Sequence, residues 1–136
     1  MKLFSSLAIS GSGLTAEKLR LDVTAANIAN METTRTPEGG PYRRKTVIFS
    51  EMLQERSAAP RGVEVRAIVD SRAEPRMAFD PEHPDANAEG YVAYPDIDLG
   101  REMAAMITAL RSYEANVTAL NTAKSLYLKA LEIGRG

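Results

Sequence analysis

Large side chains recur along the last third of the chain without a slip. Met103, Met106, Leu110, Tyr113, Val117, Leu120, Lys124, Tyr127 and Leu131 stand 3, 4, 3, 4 apart. This is the a/d seam of a coiled coil, with Lys124 as its polar member, a register-setting residue whose ammonium reaches the helix edge. The spacing predicts one helix from Leu99 to Ile133, ~52 Å long at ~1.5 Å per residue. Asp98 stands where a carboxylate accepts from free amides of the first turn, and Gly134 where a left-handed residue closes the last. The outer positions b, c and f hold Ala104, Ala105, Thr108, Arg111, Ser112, Ala115, Thr118, Ala119, Thr122, Ser125, Leu126 and Lys129, and only two of these twelve are charged. The g positions are Ala109, Asn116, Ala123 and Ala130; the e positions include Ile107 and Leu128 beside Glu114 and Asn121. A free two-stranded coiled coil keeps charge on those faces, whereas small, uncharged flanks suit close neighbours on several sides. With 136 residues in all, the chain has little else to cover this helix, so other chains are expected to do so.

At the other end Leu7, Leu14, Leu21 and Ile28 stand seven apart and predict a second helix over roughly Thr15–Met31, with an earlier start left open and Ser12 or Thr15 as its cap. Gly11 and Gly13 mark a break or hinge before it. The simplest partner is the C-terminal helix. Leu14, Leu21, Ile28 and the 103-to-131 seam would then join the two within a protomer and leave the Ala/Ser/Thr faces for neighbouring protomers. Between the helices Thr36–Pro41, with two Pro and two Gly, is loop. Thr46–Phe49, Val63–Val69, Met77–Phe79 and Tyr91–Tyr94 are short β-prone runs, while Glu51–Ala59 is polar and small. The fold class is therefore mainly α with a small β part. It divides into an N-terminal helical segment (1–33), a central segment of short strands and long loops (34–95), and a C-terminal helical segment (96–136).

Composition narrows the chemistry. A net charge of −1 offers no basic field for nucleic acid, the absence of cysteine removes thiolate and disulfide chemistry, and no apolar run is long enough to span a bilayer. The apolar stretch within Met1–Ile9, cut by Ser5 and Ser6, is too short for a Sec signal peptide. Asp80–Gly90, with its lone His83 and four carboxylates, invites a metal reading. It lacks EF-hand spacing and a second His or Cys, and short Asp and Asn side chains beside Pro and Gly serve turns, which is the preferred reading. Arg43-Arg44-Lys45 is read as edge protection or an interchain ion pair rather than a phosphate site. There is no phosphate-cradling loop and no GxSxG, so no catalytic, cofactor-binding or metal-ligating residue is assigned, and an enzyme is not expected.

The run Leu21-Asp22-Val23-Thr24-Ala25-Ala26-Asn27-Ile28-Ala29-Asn30-Met31-Glu32-Thr33 resembles the bacterial flagellar axial proteins, whose N-terminal helix ends in an Asn-x-x-Asn-x-x-Thr signature, here Asn27, Asn30 and Thr33. Pro37–Lys45, Asp80–Ala86, Gly90–Val92, Ser112–Asn121 and Lys129–Arg135 carry the likeness to the rod members of that family over nearly the whole chain. The resemblance implies a structural subunit of the rod, the drive shaft that crosses the periplasm. Its terminal helices would pack as an inner coiled-coil domain, with the central segment outside. It implies copies of itself, other rod proteins and export-gate-junction proteins as partners, and export by the flagellar type III apparatus. The three signature residues have two readings: polar side chains that end a helix and bond the chain as it turns away, or an element recognised in export. A competing function from another class is a free coiled-coil adaptor or scaffold dimer in the cytoplasm, which predicts charged outer helix faces.

Overall fold

The computed structural model describes residues 2–53 and 60–136. Two helices, α1 (Lys2–Ala29) and α2 (Leu99–Arg135), lie side by side and antiparallel. The Phe4 ring meets the Tyr127 ring edge-on with centroids 5.5 Å apart, and Gly13 lies against Asn116. Between them in sequence come β1 (Lys45–Leu53), β2 (Pro60–Asp70), β3 (Arg76–Phe79) and β4 (Tyr91–Tyr94). The mainly helical fold with a small strand region is as the sequence predicts.

α1 begins well before Thr15 and runs unbroken through Gly11 and Gly13, which correct the expected hinge. A glycine inside a helix costs ~1 kcal/mol relative to alanine. At Gly13 that cost has a structural return, because a Cβ there would stand 2.9 Å from the Asn116 amide. Ser12 and Thr15 do not cap; their hydroxyls donate back to the carbonyls of Ile9 and Gly11. At the far end Asp98 caps α2 as expected, its carboxylate accepting from the Arg101 N–H at 2.9 Å. Gly134 does not end the helix, which continues to Arg135 and closes with the Gly136 N–H on the Ile133 carbonyl.

All four β-prone runs are strands, paired as two antiparallel hairpins, β1–β2 and β3–β4. β1 extends beyond Phe49 to Leu53, into the stretch expected to be non-strand; residues 54–59 of that stretch lie outside the described residues. The long hairpin lies along α1. Lys45 sits at Asn27, Phe49 sits under the Arg20 guanidinium at 4.6 Å, and the Val63 N–H donates to the Ser12 hydroxyl. The lengths are close: fifteen helical residues from Ser12 to Asn27 span ~23 Å, and six strand residues from Lys45 to Glu51, the partner of Val63, span ~20 Å.

The helix pair closes on small residues. Among the described residues the buried apolar set is Ala16, Val92, Ala109 and Ala123, joined by buried Thr24, Asn27 and Glu102. On α2 the buried stripe is thus Glu102, Ala109 and Ala123 with half-buried Asn116, one position away from the large-residue seam. Periodicity finds where the largest side chains recur, but two helices approach closest where side chains are smallest.

Candidate assembly surface

Three polar clusters fix the end of α1 against the rest of the chain. Asn27 is 1% exposed and uses both ends of its amide: Nδ2 donates to the Lys45 carbonyl at 2.9 Å, while Oδ1 accepts from the Lys45 N–H at 2.9 Å and the Tyr42 hydroxyl at 3.0 Å. Arg44, one residue earlier, gives its carbonyl to the Ser71 N–H at the end of β2. Lys45 therefore turns both main-chain groups the other way, and Asn27 receives them as a neighbouring strand would. Asn30 donates to the Ala26 carbonyl and accepts from the Thr33 hydroxyl, and the Thr33 carbonyl accepts from the Tyr42 N–H. The structure thus brings the three signature residues together in one network at the helix exit. Burial, the largest influence on the Tyr42 hydroxyl, raises its pKa above the ordinary tyrosine value, keeping it a donor.

The second cluster joins this exit to the Asp80–Gly90 loop. Asp85 accepts from the Thr34 hydroxyl at 2.7 Å and pairs with Arg35 at 2.5 Å. The Thr34 hydrogen bond first, then Arg35, hold its carboxyl below the usual aspartate value. The His83 and Asn87 side chains of the loop serve its turns. His83 Nδ1 accepts from the Asp85 N–H, and Asn87 Oδ1 accepts from the N–H groups of Glu89 and Tyr91.

In the third cluster Glu102, 1% exposed in the first turn of α2, pairs with the Arg44 guanidinium through Oε1, while Oε2 has no hydrogen-bond partner. The helix N-terminus favours the negative charge there. Lys45 pairs with Asp70 across the hairpin at 2.6 Å, and that bond raises the lysine's pKa. Arg44 and Lys45 are therefore committed within the chain, where an interchain pair or edge protection was expected. Glu102 escaped the sequence reading because it lies at a g position, outside the large-residue seam; uncharged Ala109, Asn116 and Ala123 at the following g positions were the available signal.

Beyond these clusters the two helices leave many large apolar side chains open. Of the seam, Met103, Leu110 and Leu131 are 46–49% exposed, while Met106, Tyr113, Val117, Leu120 and Tyr127 are half-buried. Leu14, Leu21 and Ile28 on α1 are half-buried too. Ile107, Leu126, Leu128 and Ile133 are more exposed still. Among the described residues no helix is long and apolar enough to cross a membrane.

Two family models match the terminal parts: Flagella basal body rod protein over residues 7–35, and Flagellar basal body rod FlgEFG protein C-terminal over residues 88–133. Whole-chain relatives are similar throughout. The flagellar basal-body rod protein FlgC of Bacillus subtilis is 44% identical, over 99% of this chain and all of its own length. The FlgC proteins of Borreliella burgdorferi, at 40% over all of both chains, and Escherichia coli O157:H7, at 42% over 99% of this chain and all of its own, agree. The chain belongs to the FlgC family of flagellar basal-body rod proteins. Family membership makes it a structural protein of the flagellum, located in the basal-body rod. The two matched segments contain the helix-exit network as far as Thr33, β4 and α2; the long hairpin lies outside both.

Proposed function

We propose that the protein is a subunit of the drive shaft that carries torque across the periplasm. It is exported by the flagellar type III apparatus and assembled through its terminal helices onto copies of itself, other rod proteins and proteins of the export-gate junction. Segments 1–33 and 96–136 form the inner helical part, 34–95 the outer part, and the role is structural rather than catalytic. Asn27, Asn30 and Thr33 serve the fold by fastening the chain as it leaves α1.

One observation carries this reading: the chain leaves far more surface open than a self-sufficient monomer does. It exposes 9854 Å². A compact protein of this mass exposes about 7,000 Å². The excess, about 2,900 Å², equals three to four standard interfaces at about 800 Å² per partner. Ala115 and Ala119 lie on the exposed face of α2. Ala115→Glu with Ala119→Glu leaves export intact and stops rod growth; a motile strain carrying both changes refutes the assignment.

The runner-up, a free cytoplasmic dimer, requires charged outer faces that α2 lacks. Hydrogen exchange on the purified chain separates the two: a rod subunit protects its terminal helices weakly until assembled, whereas an autonomous dimer protects them most.

A further inference from the structure

The end of α1 and the start of α2 are tied together through the base of the long hairpin. Asn27 bonds the main chain of Lys45, and Glu102 pairs with Arg44 beside it. Fourteen residues from Asn27 along α1, and fourteen from Glu102 along α2, Gly13 meets Asn116. A Cβ at Gly13 would stand 2.9 Å from both Nδ2 and Oδ1 of Asn116 and 3.0 Å from its Cγ. The amide does not swing aside without loss, because Nδ2 donates to the Ser112 carbonyl at 3.0 Å. Gly11, two residues earlier, has nothing within 4 Å of its own Cβ position. Of the two glycines in α1, packing requires only the second.

Beyond this contact the helix pair is thin. Among the described residues α2 buries only Ala123 past Asn116, α1 buries none before Ala16, and the Phe4 and Tyr127 rings meet near the far end. The hairpin base and the Gly13–Asn116 contact are thus two separated points that fix the angle between the helices. From the second point α2 runs on for nineteen residues to Arg135, carrying Leu126, Leu128, Leu131 and Ile133 at 47–81% exposed.

We propose that Asn116, lodged in the gap at Gly13, is a positioning contact that aims the free end of α2, and with it the apolar side chains that neighbouring subunits cover. A lever gives the scale. The contact lies ~21 Å from the hairpin base, and the end of α2 lies ~50 Å from it. A Cβ at residue 13 reaches ordinary contact distance only if Asn116 withdraws by ~0.5–1 Å. Carried along the helix, that withdrawal moves the end of α2 by ~1–2.5 Å. A gap of ~0.5–1 Å already forfeits roughly a quarter to a half of a dispersion contact, so the displaced end no longer fits neighbours shaped to it. The inference rests on the rod reading for those neighbours.

Gly13→Ala is tested against Gly11→Ala, the same change made in open space. Each variant replaces the native copy in cells, and its amount in isolated basal bodies is measured by immunoblot against its cellular level. Alanine favours helix over glycine, so a weakened α1 accounts for no defect in either. Gly11→Ala is incorporated like the unaltered chain, and Gly13→Ala falls at least fivefold. Gly13→Ala with Asn116→Ala, which clears the space for the new Cβ, recovers to within twofold, as a chain damaged in another way would not. Equal incorporation of the two glycine variants overturns the proposal, and so does a double variant that stays as low as Gly13→Ala. Either result, with Ala115→Glu and Ala119→Glu together still blocking incorporation, leaves the rod reading standing. Native-level incorporation of that glutamate pair sinks both.

Discussion

Asn27→Ala tests the account of the helix exit most directly. The substitution removes the only side chain bonded to both main-chain groups of Lys45 and deletes the acceptor of the Tyr42 hydroxyl. An unpaired buried donor or acceptor costs ~1–3 kcal/mol, and a lost ordinary hydrogen bond ~0.5–1.5 kcal/mol. Lys45 is half-buried, which admits some water and puts each of its two groups near the low end of that range. With Tyr42 included, the expected loss is ~3 kcal/mol. In urea, with a slope of ~1.5 kcal/mol per molar, that moves the unfolding midpoint down by ~2 M. Asn30→Ala is the matched control. It leaves the Ala26 carbonyl bonded to the Asn30 N–H and takes one acceptor from the half-buried Thr33 hydroxyl, so its cost stays near ~1 kcal/mol. The assay is urea unfolding of the purified chain followed by far-ultraviolet circular dichroism. Equal shifts for the two variants, or a shift below ~1 kcal/mol for Asn27→Ala, refute the strand-like role given to Asn27.

Arg44→Met and Glu102→Met are not equivalent. Removing Arg44 strands a buried carboxylate and costs ~3 kcal/mol, the low end for a broken buried pair because Arg44 reaches solvent; removing Glu102 costs less, since the arginine can rehydrate. Urea unfolding of both variants checks the order. Gly11→Ala, with nothing within 4 Å of the new Cβ, stabilises α1 by up to ~1 kcal/mol, whereas Gly13→Ala meets Asn116 and gains less or loses; thermal melts compare them. The depressed Asp85 pKa means that its bonds to Thr34 and Arg35 stabilise the fold above the unfolded value of 3.8 and cease to do so as pH falls through the lower folded value. The stability difference between the unaltered chain and Asp85→Asn is therefore constant from neutral pH to about pH 5 and shrinks below pH 4; a difference that grows on acidification contradicts this.

The fold was legible at many places where one residue's chemistry acts locally, though not at the caps expected of Ser12, Thr15 and Gly134. Asp98 reads as a cap because its carboxylate reaches amides three residues on, and the four β-prone runs read as strands from their own composition. Relations between distant segments were not legible. Nothing near Gly13 in sequence announces Asn116, so two glycines read as a hinge where one of them lets helices touch. Arg44 and Glu102 are 58 positions apart, and only the folded chain shows that the arginine is spent inside the subunit. The signature residues were legible as a helix ending, but their target, the main chain of Lys45, was not.

The partition of side-chain size follows from these facts and bears on assembly. Had the Met103-to-Leu131 seam been consumed between α1 and α2, the outer surface would offer only small residues and the subunit would fold tightly alone. Instead Ala16, Ala109 and Ala123 are the fully buried apolar residues of the helix pair, Met106, Tyr113, Val117, Leu120 and Tyr127 of the seam are only half-buried, and Met103, Leu110 and Leu131, with Ile107 and Leu128 beside them, keep about half their surface. That open area does not convert directly into affinity, because each contact also orders side chains and costs rotational freedom. Subunits that bind only when folded do, however, stabilise one another by mass action. A thin alanine core with much large apolar surface outside therefore makes the stability of each subunit depend on the neighbours that cover it.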